Sequence, residues 1–489
     1  METPPEKPTT TKVLIVGAGF GGIEMAVALK KAGIDDFVIL EKGKDVGGVW
    51  RDNTYPGCSC DVPSHLYSFS FAPYKGKHKR YPPQQDILSY LRGVAHNFKL
   101  LPHLRLDTAV MQATYQETQR RWQITTSSGD TFDAEIVIFA VGQLHRPNFP
   151  DIPGRKDFLG PILHPAVWDH DVELRGKRIS IIGTGSSAAQ MLPELASLAQ
   201  SVTVYQRTPA WILPKPSSEF GLLSRWALRI PGAHLLYRGS LYYGADFLLS
   251  PVVRSRLLAR AAETVARCHL HRQVKDPNLC QKLLPSYPIG SKRILFDSKF
   301  FPALTRSNVT LVTESIKKIT PTGIETADGE HRSTDVIVFA TGFKASEFLV
   351  PISVTGRNNR SLNEEWASGA EAFMGLAVHG YPNGFIIAGP NTFNPAGSNP
   401  GMKEVQVGYI MRCLRWKEEM GAQTAEVKEE ATAEHRQWLD GKMKRTVWPS
   451  SVESWYKHES GKVTNPWPCS ARRFARMLRR DPRESFEVR

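Results

Sequence analysis

Two short stretches of this chain carry glycines at the spacing of dinucleotide-binding turns. The first holds Gly17, Gly19 and Gly22 between an apolar run and a helical pattern, and Glu41 ends the next apolar run. Glycines at this spacing allow a tight turn and close approach of the backbone to a pyrophosphate, which the helix N-terminus faces. The acid accepts hydrogen bonds from ribose hydroxyls. This stretch therefore predicts a dinucleotide site, the alternative being a helix-packing turn.

The second stretch contains Gly183 and Gly185, with Ala188 at the third glycine position, which this fingerprint tolerates. The next apolar run ends in Gln206-Arg207-Thr208 instead of an acid. An arginine here can meet the 2′-phosphate of NADP, so we predict NADP over NAD, the alternative being a surface arginine. The predicted NADP contacts of this stretch are Gly183, Gly185, Ser186, Ser187, Arg207 and Thr208.

Each turn needs a strand before it and a helix after it, and apolar patterning predicts these elements. Unbroken apolar runs without alternation are typical of parallel strands buried on both faces. The predicted strands are 12–16, 37–40, 106–115, 122–126, 136–141, 178–182, 202–205, 309–313 and 335–339, with helices after each glycine turn and at 84–98 and 404–420. The sequence thus predicts an α/β protein with two Rossmann-like dinucleotide-binding domains.

A second glycine pair, Gly47-Gly48, follows the first turn and precedes Trp50. It resembles the pair found in flavoproteins that bind two dinucleotides, where the chain passes along FAD. The runs ending in Ala140-Val141-Gly142 and Ala340-Thr341-Gly342 resemble the A-T-G exits of such proteins, with Val141 replacing the usual threonine. The first nucleotide is therefore predicted to be FAD. Its predicted contacts are Gly17, Gly19, Gly22, Glu41, Gly48, Trp50, Tyr67 and Val110.

Composition sets further bounds. Hydrophobic residues make up 41% and charged residues 22%, as in a folded globular chain. The net charge is +14, but the basic residues are scattered apart from a C-terminal cluster, a pattern that does not favour nucleic-acid binding. Residues 1–10 lack the apolar core of a signal peptide. The apolar stretch 235–253 is interrupted by Arg238, Asp246 and Pro251, so it fails as a membrane span.

We therefore expect a soluble cytoplasmic protein, monomeric or weakly oligomeric, with peripheral membrane contact left open. Six cysteines are too few for a disulfide scaffold. Cys58 and Cys60 could form a redox dithiol beside a flavin, which would indicate a disulfide reductase. Their C-x-C spacing is strained for a ring, and no ligand cluster beside them indicates a metal site. Ordinary packed thiols are the favoured interpretation.

A domain division follows from these motifs. We expect an FAD-binding domain at 1–145 and 345–489, a linker at 146–170, an NADP-binding domain at 171–210 and 290–344, and a helical insertion at 211–289. Apolar and aromatic residues alternate with arginines in the insertion. A packing layer is the favoured interpretation, and contact with substrate, a membrane or a partner is the alternative. Tyr67 with the Phe69/Phe71 alternation indicates either a strand or a piece of core.

The linker carries the remaining motif. Phe158, Gly160, His164, Trp168 and Asp169 fit the pattern F-x-G-x-x-x-H-x-x-x-W-[P/D] at each specified position. This resembles the fingerprint of type I Baeyer–Villiger monooxygenases, and the likeness extends from the first strand to the C-terminal region. N-hydroxylating and mammalian-type flavin monooxygenases show a related pattern that ends differently.

The resemblance implies a flavoprotein in which NADPH reduces FAD and O2 forms a C4a-peroxyflavin. That species would insert one oxygen atom next to the carbonyl of a lipophilic ketone, giving an ester or lactone, with sulfides as side substrates. An N- or S-oxygenating flavin monooxygenase and a pyridine-nucleotide disulfide reductase remain the alternatives, and a flavin-binding redox sensor is a more distant one.

The resemblance also implies residue roles. Arg293 matches the catalytic arginine that would stabilise the anionic oxygen species, and Asp61 would orient it beside the flavin. Lys292 and Arg207 would hold the 2′-phosphate of NADP. His164 is expected to couple domain rotation to NADP handling rather than to transfer a proton.

Two later positions complete the predicted cofactor contacts, Asn391 after a segment that closes over the flavin and Trp455 in an S-W-Y segment. Departures from the family pattern at Ser59, Ser291 and the stretch 391–395 affect the expected substrate range more than the chemistry.

Overall fold

The computed structural model describes residues 8–76, 78–449 and 452–489. Most of the N-terminal segment judged above for a signal peptide, residues 1–7, therefore lies outside the described residues. The strands are β1 (Thr9–Val16), β2 (Phe37–Leu40), β3 (Leu104–Arg105), β4 (Val110–Gln116), β5 (Arg121–Thr126), β6 (Thr131–Phe139), β7 (Ile162–Leu163), β8 (Arg178–Ile182), β9 (Ser201–Tyr205), β10 (Ile212–Leu213), β11 (Leu295–Phe296), β12 (Val309–Val312), β13 (Ile316–Thr320), β14 (Gly323–Thr326), β15 (His331–Ser333), β16 (Val336–Phe339), β17 (Ser353–Thr355), β18 (Gly384–Ile386), β19 (Ala425–Val427) and β20 (Phe486–Val488).

The helices alternate with these strands. They are α1 (Phe20–Lys31), α2 (Val49–Asp52), α3 (Gln84–Asn97), α4 (Ser186–Leu198), α5 (Leu222–Ala227), α6 (Ala233–Gly244), α7 (Arg256–Gln273), α8 (Pro277–Leu283), α9 (Phe300–Leu304), α10 (Leu362–Glu365), α11 (Asn399–Glu419), α12 (Glu429–Met443) and α13 (Ala471–Met477). Within the three described ranges, no helix combines the length and apolar character needed to cross a bilayer.

Two sheets organise the molecule. The first has the order β17-β4-β5-β6-β1-β2-β3, with β18 also paired to β6, and the second has the order β12-β9-β8-β16-β7. In the first sheet β1 lies between β2 and β6 and runs parallel to both. In the second, β8 lies between β9 and β16, again in parallel. Both central strands end at a glycine turn, which confirms the prediction of two Rossmann-like units.

Both faces of the first sheet are covered, and this explains its unbroken apolar strands. Val13 and Ile15 of β1 point into the layer formed with α1, α3 and α11, while Leu14 points into a second layer that includes Trp122. Because successive side chains of a strand point to opposite faces, a strand covered on both sides must be apolar throughout.

The alternating aromatic segment after Tyr67 is core and not a strand. Phe69 is fully buried, and its ring stacks on that of Phe71 with 4.8 Å between the centroids. No strand is assigned at 61–76, so one of the two alternatives drawn from the sequence is wrong. Alternation arose here because the loop packs every second ring against α1 and α3.

The linker is partly incorporated into the second sheet. Its residues Ile162 and Leu163 form β7, which pairs in parallel with β16 at the sheet edge. A Cβ on Gly160 would lie 2.4 Å from the carbonyl oxygen of Asp335, so only glycine allows this approach. The glycine of the fingerprint is thus required where the linker docks onto the second sheet.

Candidate active site

The first glycine turn packs so closely that two of its positions have no room for a side chain. Gly17 has φ +103°, and a Cβ there would lie 2.8 Å from the carbonyl oxygen of Ala140. A Cβ on Gly22 would come within 1.8 Å of the carbonyl oxygen of Gly17. Gly19 faces Gly48, where a Cβ would lie 3.3 Å from the Gly19 Cα. The close approach of the backbone at these glycines and the N-terminus of α1 therefore suit the pyrophosphate of a dinucleotide.

Glu41 is placed at the end of β2, as predicted, and it also braces this turn. Its buried carboxylate accepts a hydrogen bond of 2.8 Å from the backbone N–H of Ala18 and one of 2.9 Å from that of Gly43. Arg51 donates to the same carboxylate over 2.7 Å. A carboxylate offers about four lone-pair sites, so capacity remains for one ribose hydroxyl.

Two further predicted FAD contacts, Trp50 and Tyr67, lie beside this turn, whereas the side chain of Val110 lies elsewhere. Trp50 Nε1 donates to the Tyr67 hydroxyl over 3.2 Å, and the Tyr67 ring packs on Phe20 at 5.1 Å. Burial raises the pKa of Tyr67, so its hydroxyl stays protonated and able to donate. Val110 is buried at the start of β4, in the layer that covers the opposite face of the sheet from Phe20.

The second turn repeats the first with a more open rim. Gly183 has φ +110°, and a Cβ there would lie 2.5 Å from the carbonyl oxygen of Ala340. The hydroxyl of Thr184 donates to the carbonyl of Thr208 over 3.2 Å, which ties the turn to the end of β9. Ser186 and Ser187 begin α4. The structure thus brings the predicted NADP contacts of this turn together at the start of α4.

Arg207 and Lys292 lie close enough to repel each other. The Arg207 side chain is 82% exposed, and its nearest carboxylate oxygen, on Glu453, lies 3.8 Å away. Burial lowers the pKa of Lys292, and the charge of Arg207 lowers it further. Two cations held together at the edge of a nucleotide turn are suited to a doubly charged phosphate, which would relieve their repulsion.

Arg293 and Asp61 form an ion pair across the two glycine-turn units. Arg293 Nη2 donates to both carboxylate oxygens of Asp61, each over 2.7 Å. Asp61 follows α2 in the first unit, whereas Arg293 precedes β11 after the helical insertion. The pair therefore joins segments that are 232 positions apart in the chain.

Each partner fixes the charge of the other. Burial on its own would raise the pKa of Asp61, but the charge and hydrogen bonds of Arg293 outweigh it and leave that pKa below its ordinary value. Burial on its own would lower the pKa of Arg293, but the charge of Asp61 outweighs it and leaves that pKa raised. Arg293 is therefore a permanent cation whose Nη1 and Nε atoms are not used by Asp61.

Three residues that sequence reasoning missed surround this pair. The guanidinium of Arg293 lies 5.5 Å from the ring centroid of Phe393. Tyr456 is buried, which raises its pKa, and it lies close enough to Arg293 for that cation to act in the opposite direction. Lys215 Nζ donates to the carbonyl of Cys60 over 3.3 Å and adds a second positive charge beside Asp61. Phe393 and Tyr456 lie in segments noted in the sequence, but nothing in those segments indicates contact with Arg293, and Lys215 lies in no motif.

The loop that carries Asp61 is held by the second unit. The Tyr55 hydroxyl donates to Gln190 Oε1 over 2.8 Å, and Gln190 Nε2 donates to the carbonyl of Ser59 over 2.9 Å. A Cβ on Gly57 would lie 2.3 Å from the Gln190 carbonyl oxygen. The orientation of Asp61 thus depends on α4 of the opposite unit.

The two cysteines of this loop are poor nucleophiles. Burial raises the pKa of Cys58 to about 11 and that of Cys60 further. Both thiols are free. Because the thiolate is the reactive form, this environment agrees with packed thiols and gives no support to a redox dithiol.

His164 lies in a different environment from the ion pair. It is buried, and its Nε2 donates to the carbonyl of Gly342 over 3.0 Å while Nδ1 accepts from the N–H of Ala166 over 3.1 Å. Burial lowers its pKa, with the bond to Gly342 acting in the opposite direction. The ring packs between Phe149 and Phe343. The imidazole is thus buried and held by two hydrogen bonds, and its role in coupling domain rotation to NADP handling stays a prediction.

The remaining predicted contacts belong to the C-terminal segment. Asn391 donates from its backbone to the carbonyl of Thr464 over 2.7 Å and from Nδ2 to that of Val463 over 2.9 Å. Trp455 packs edge-on against Phe393, with 4.9 Å between the ring centroids. Trp455 thereby reaches the surroundings of Arg293, while the amide of Asn391 fixes the loop that carries Phe393.

The chain is similar to known proteins over its whole length. Residues 14–222 match the family model described as pyridine nucleotide-disulphide oxidoreductase. A Baeyer–Villiger monooxygenase of Streptomyces coelicolor is 39% identical, over 98% of this chain and 92% of the relative. A Baeyer–Villiger monooxygenase of Pseudomonas aeruginosa is 37% identical, over 98% of this chain and 91% of the relative.

Solved structures agree with these relatives. Cyclohexanone monooxygenase from Rhodococcus sp. Phi1 bound to NADP+ superposes with a TM-score of 0.89 at 28% identity, covering 99% of this chain and 100% of that one. Oxidized steroid monooxygenase bound to NADP superposes with a TM-score of 0.87 at 29% identity, covering 98% and 99%. The identities over nearly the full length carry the assignment: this chain belongs to the Baeyer–Villiger monooxygenase family.

Proposed function

We propose that this protein is an NADPH- and O2-dependent flavin monooxygenase that inserts one oxygen atom next to the carbonyl of a lipophilic ketone. The overall reaction consumes the ketone, O2, NADPH and a proton, and it yields an ester or lactone, NADP+ and water. The observation that carries this proposal is the Arg293–Asp61 pair, a permanent cation held between two dinucleotide folds.

Each of the two glycine turns would hold one cofactor. The first, with Glu41, Gly48 and Trp50 beside it, would hold FAD, and the second, with Arg207 and Lys292 at its rim, would hold NADPH. When bound, FAD takes two electrons from NADPH and delivers them to O2, of which one atom enters the product and the other leaves as water.

Arg293 would act on the charge that develops during oxygen insertion. Its guanidinium cannot lose its proton near neutral pH, so it stabilises an anionic oxygen without quenching it. Asp61 holds Nη2 and aims the remaining donors away from itself. Phe393 lies beside the guanidinium of Arg293, and Trp455 packs on Phe393, so the two rings would exclude water from the site. His164, which is hydrogen-bonded to Gly342, would couple movement of the linker to the handling of NADP.

A labelling experiment tests the reaction. Linear, cyclic, aryl and steroidal ketones are incubated with NADPH under oxygen-18 gas, and the products are analysed by mass spectrometry. We expect an ester or lactone with a single labelled atom, and no label when the heavy isotope is supplied as water. Oxidation of NADPH to NADP+ with hydrogen peroxide as the sole oxygen product from every ketone would overturn the proposal.

A substitution tests the assigned cation. Arg293→Ala should lower ester formation by about 100-fold or more, the size of effect seen when one charge-stabilising donor is removed. Arg293→Lys is the matched control, because it keeps the charge but loses the planar fork that meets Asp61. Both variants should retain bound flavin, measured by absorbance of the purified protein.

Two other reactions would contradict this assignment in recognisable ways. An N- or S-oxygenating enzyme would tolerate Arg293→Ala and form hydroxylamines or sulfoxides, and sulfide oxidation is expected here only as a side activity. A disulfide reductase would need no oxygen and would be inactivated by Cys58→Ser with Cys60→Ser. We expect that double variant to keep turnover within about threefold of the parent, because neither thiol is a ready nucleophile.

A further inference from the structure

Helix α6 is held to the protein by aromatic and polar side chains and leaves several large apolar side chains exposed. Tyr237 packs on His65, Arg238 donates to the carbonyls of His65 and Ser68 over 2.7 and 2.9 Å, and Asp246, two positions beyond the helix, is buried. Tyr243 and Phe247 are 53% and 57% exposed. Leu236 continues this line at 79% exposure.

We call Leu236, Tyr243 and Phe247 the outward apolar face. Their spacing of seven and four positions places them in one row along the helix and the turn that continues it. A helix on the surface of a protein in water normally turns polar residues outwards and its large apolar residues towards the core. The outward apolar face is therefore suited to an apolar surrounding and not to water.

Other helices of the insertion also expose large apolar side chains. The most exposed large apolar side chains of α5 and α7 are Leu222 (84%), Leu223 (86%), Trp226 (66%) and Leu257 (77%). Single exposed apolar residues are common, but this density within one insertion marks a contact surface.

A positively charged cavity lies directly beside the outward apolar face. Arg254, Arg472, Arg473 and Arg476 line a cavity of about 230 Å³, which we call the arginine cavity. The guanidinium of Arg472 stacks on the ring of Phe247 at 3.9 Å, so the cavity and the apolar face share an edge. The carboxylate of Asp246 holds Arg472 there with a bond of 2.7 Å.

The central part of the insertion has little negative charge to offset these arginines, although Glu219, just before it, pairs with Arg225 over 2.8 Å. Between positions 221 and 273 its carboxylates are Asp246 and Glu263, and both bond inwards, to Ala471 and Ile289 respectively. The same stretch contains Arg225, Arg229, Arg254, Arg256 and Arg260. Its outer surface is thus apolar and positively charged.

From this arrangement we infer that the insertion docks on the surface of a bilayer that contains anionic phospholipids. The outward apolar face enters the interface, and a lipid phosphate occupies the arginine cavity, where guanidinium groups bind phosphate through paired hydrogen bonds. A second copy of the chain is a poorer occupant, because a twofold contact would bring like-charged arginine clusters together.

Vesicle binding tests this inference with the full-length holoprotein. Sedimentation is compared between vesicles of phosphatidylcholine alone and vesicles with about one third phosphatidylglycerol. We expect binding to the anionic vesicles and at least about tenfold weaker binding to the neutral ones, with a loss as salt is raised. Equal binding to both, or binding to neither, overturns the inference.

Two double variants separate the apolar and charged contributions. Leu236→Ser with Phe247→Ser should weaken binding to anionic vesicles by about tenfold or more, because two inserted side chains are removed. Arg254→Glu with Arg476→Glu should abolish the preference for anionic lipid. Met420→Ser and Arg306→Glu are matched controls at exposed positions outside the insertion and should bind as the parent does.

Two further outcomes would identify a different occupant. If light scattering shows a dimer that Leu236→Ser with Phe247→Ser converts to a monomer, a second copy covers the apolar face and the inference is wrong. If inorganic phosphate binds to the parent protein but vesicles do not sediment it, the arginine cavity is an anion site without a membrane role. Unchanged flavin content in every variant confirms that the fold is intact.

Discussion

The two nucleotide-binding units share a backbone plan but differ in how they use their charged residues. In each, the first glycine lies against the carbonyl of an alanine at the end of a neighbouring strand, Gly17 against Ala140 and Gly183 against Ala340. In the first unit Glu41 is buried and bonded to the turn itself. In the second, the adjacent Arg207 is directed into solvent.

This difference indicates two kinds of site. The carboxylate of Glu41 organises its turn before any ligand arrives, which suits a cofactor that stays bound. The amide of Gln206, at the equivalent strand end, instead donates to the carbonyl of Lys282 over 2.7 Å. Arg207 and Lys292 are left at the rim, where Glu453 offsets part of their repulsion and a bound phosphate would relieve more, and this suits a cofactor that exchanges.

The third glycine position gives the largest expected effect. Gly22→Ala would place a Cβ within 1.8 Å of a backbone oxygen in the first turn, so the turn must open at a cost of about 3 kcal/mol or more. We expect purified protein with little bound flavin and a lowered Tm. The matched change in the second unit, Ala188→Gly, should cost only about 1 kcal/mol through lost helix propensity.

Flavin absorbance and thermal unfolding measure both variants. If Gly22→Ala and Ala188→Gly lost flavin equally, the two turns would not differ in rigidity. Full flavin occupancy in Gly22→Ala would contradict the assignment of the first turn to FAD.

The rim of the second unit gives the next largest effect. Arg207→Ala should raise the KM for NADPH by about 10- to 100-fold, because bonds to a charged group are worth about 1.5–3 kcal/mol. The KM for NADH should hardly change, since NADH lacks the 2′-phosphate. Steady-state oxidation of both nucleotides provides the measurement, and a parallel rise for NADH would show that Arg207 acts on the fold and not on the phosphate.

The linker gives the smallest effect. The lowered pKa of His164 means that the unfolded chain binds its proton more tightly, so folded stability is complete above the ordinary pKa of 6.5 and falls as the pH drops below it. His164→Gln should flatten this decline, by at most about 1.4 kcal/mol per pH unit for one group. Thermal unfolding at several pH values measures it.

His435 is the control for this effect. Burial lowers its pKa to about 4, so His435→Gln should also reduce the loss of stability in acid. Of the two variants, only His164→Gln should slow flavin reduction by NADPH, because His164 bonds to Gly342 at the exit of the second unit and His435 lies elsewhere, beside Phe373 and Trp438. Normal reduction in His164→Gln, or a selective loss of oxygen insertion, would disprove the coupling role.

The chain leaves the two units through the segments after β6 and β16, and the contacts of these segments show why the linker docks on the second unit. Thr341 donates its hydroxyl to the carbonyl of Asn148 over 2.5 Å, and the N–H of Asn148 donates to Gly342. Val141, at the same place in the first unit, has no hydroxyl to make such a bond. The substitution noticed in the sequence therefore agrees with the observed docking of the linker.

Local sequence determined the two turns, the strands before them and the choice of charge after them. These features depend on steric limits and periodicity within a few residues, as at Gly17 and Gly183, where a side chain would meet a carbonyl. The roles proposed for Arg293 and Asp61 rest on family resemblance, and no local pattern required the two to meet.

Tertiary structure decided the rest. It brought Arg293 to Asp61 across the chain, placed Lys215 and Phe393 beside them, and turned Phe247 outwards while Asp246 faced in. These placements arise from contacts between distant segments, and no spacing along the chain records them. Glycine sterics act within one turn, whereas a buried charge is defined by whatever the fold packs around it.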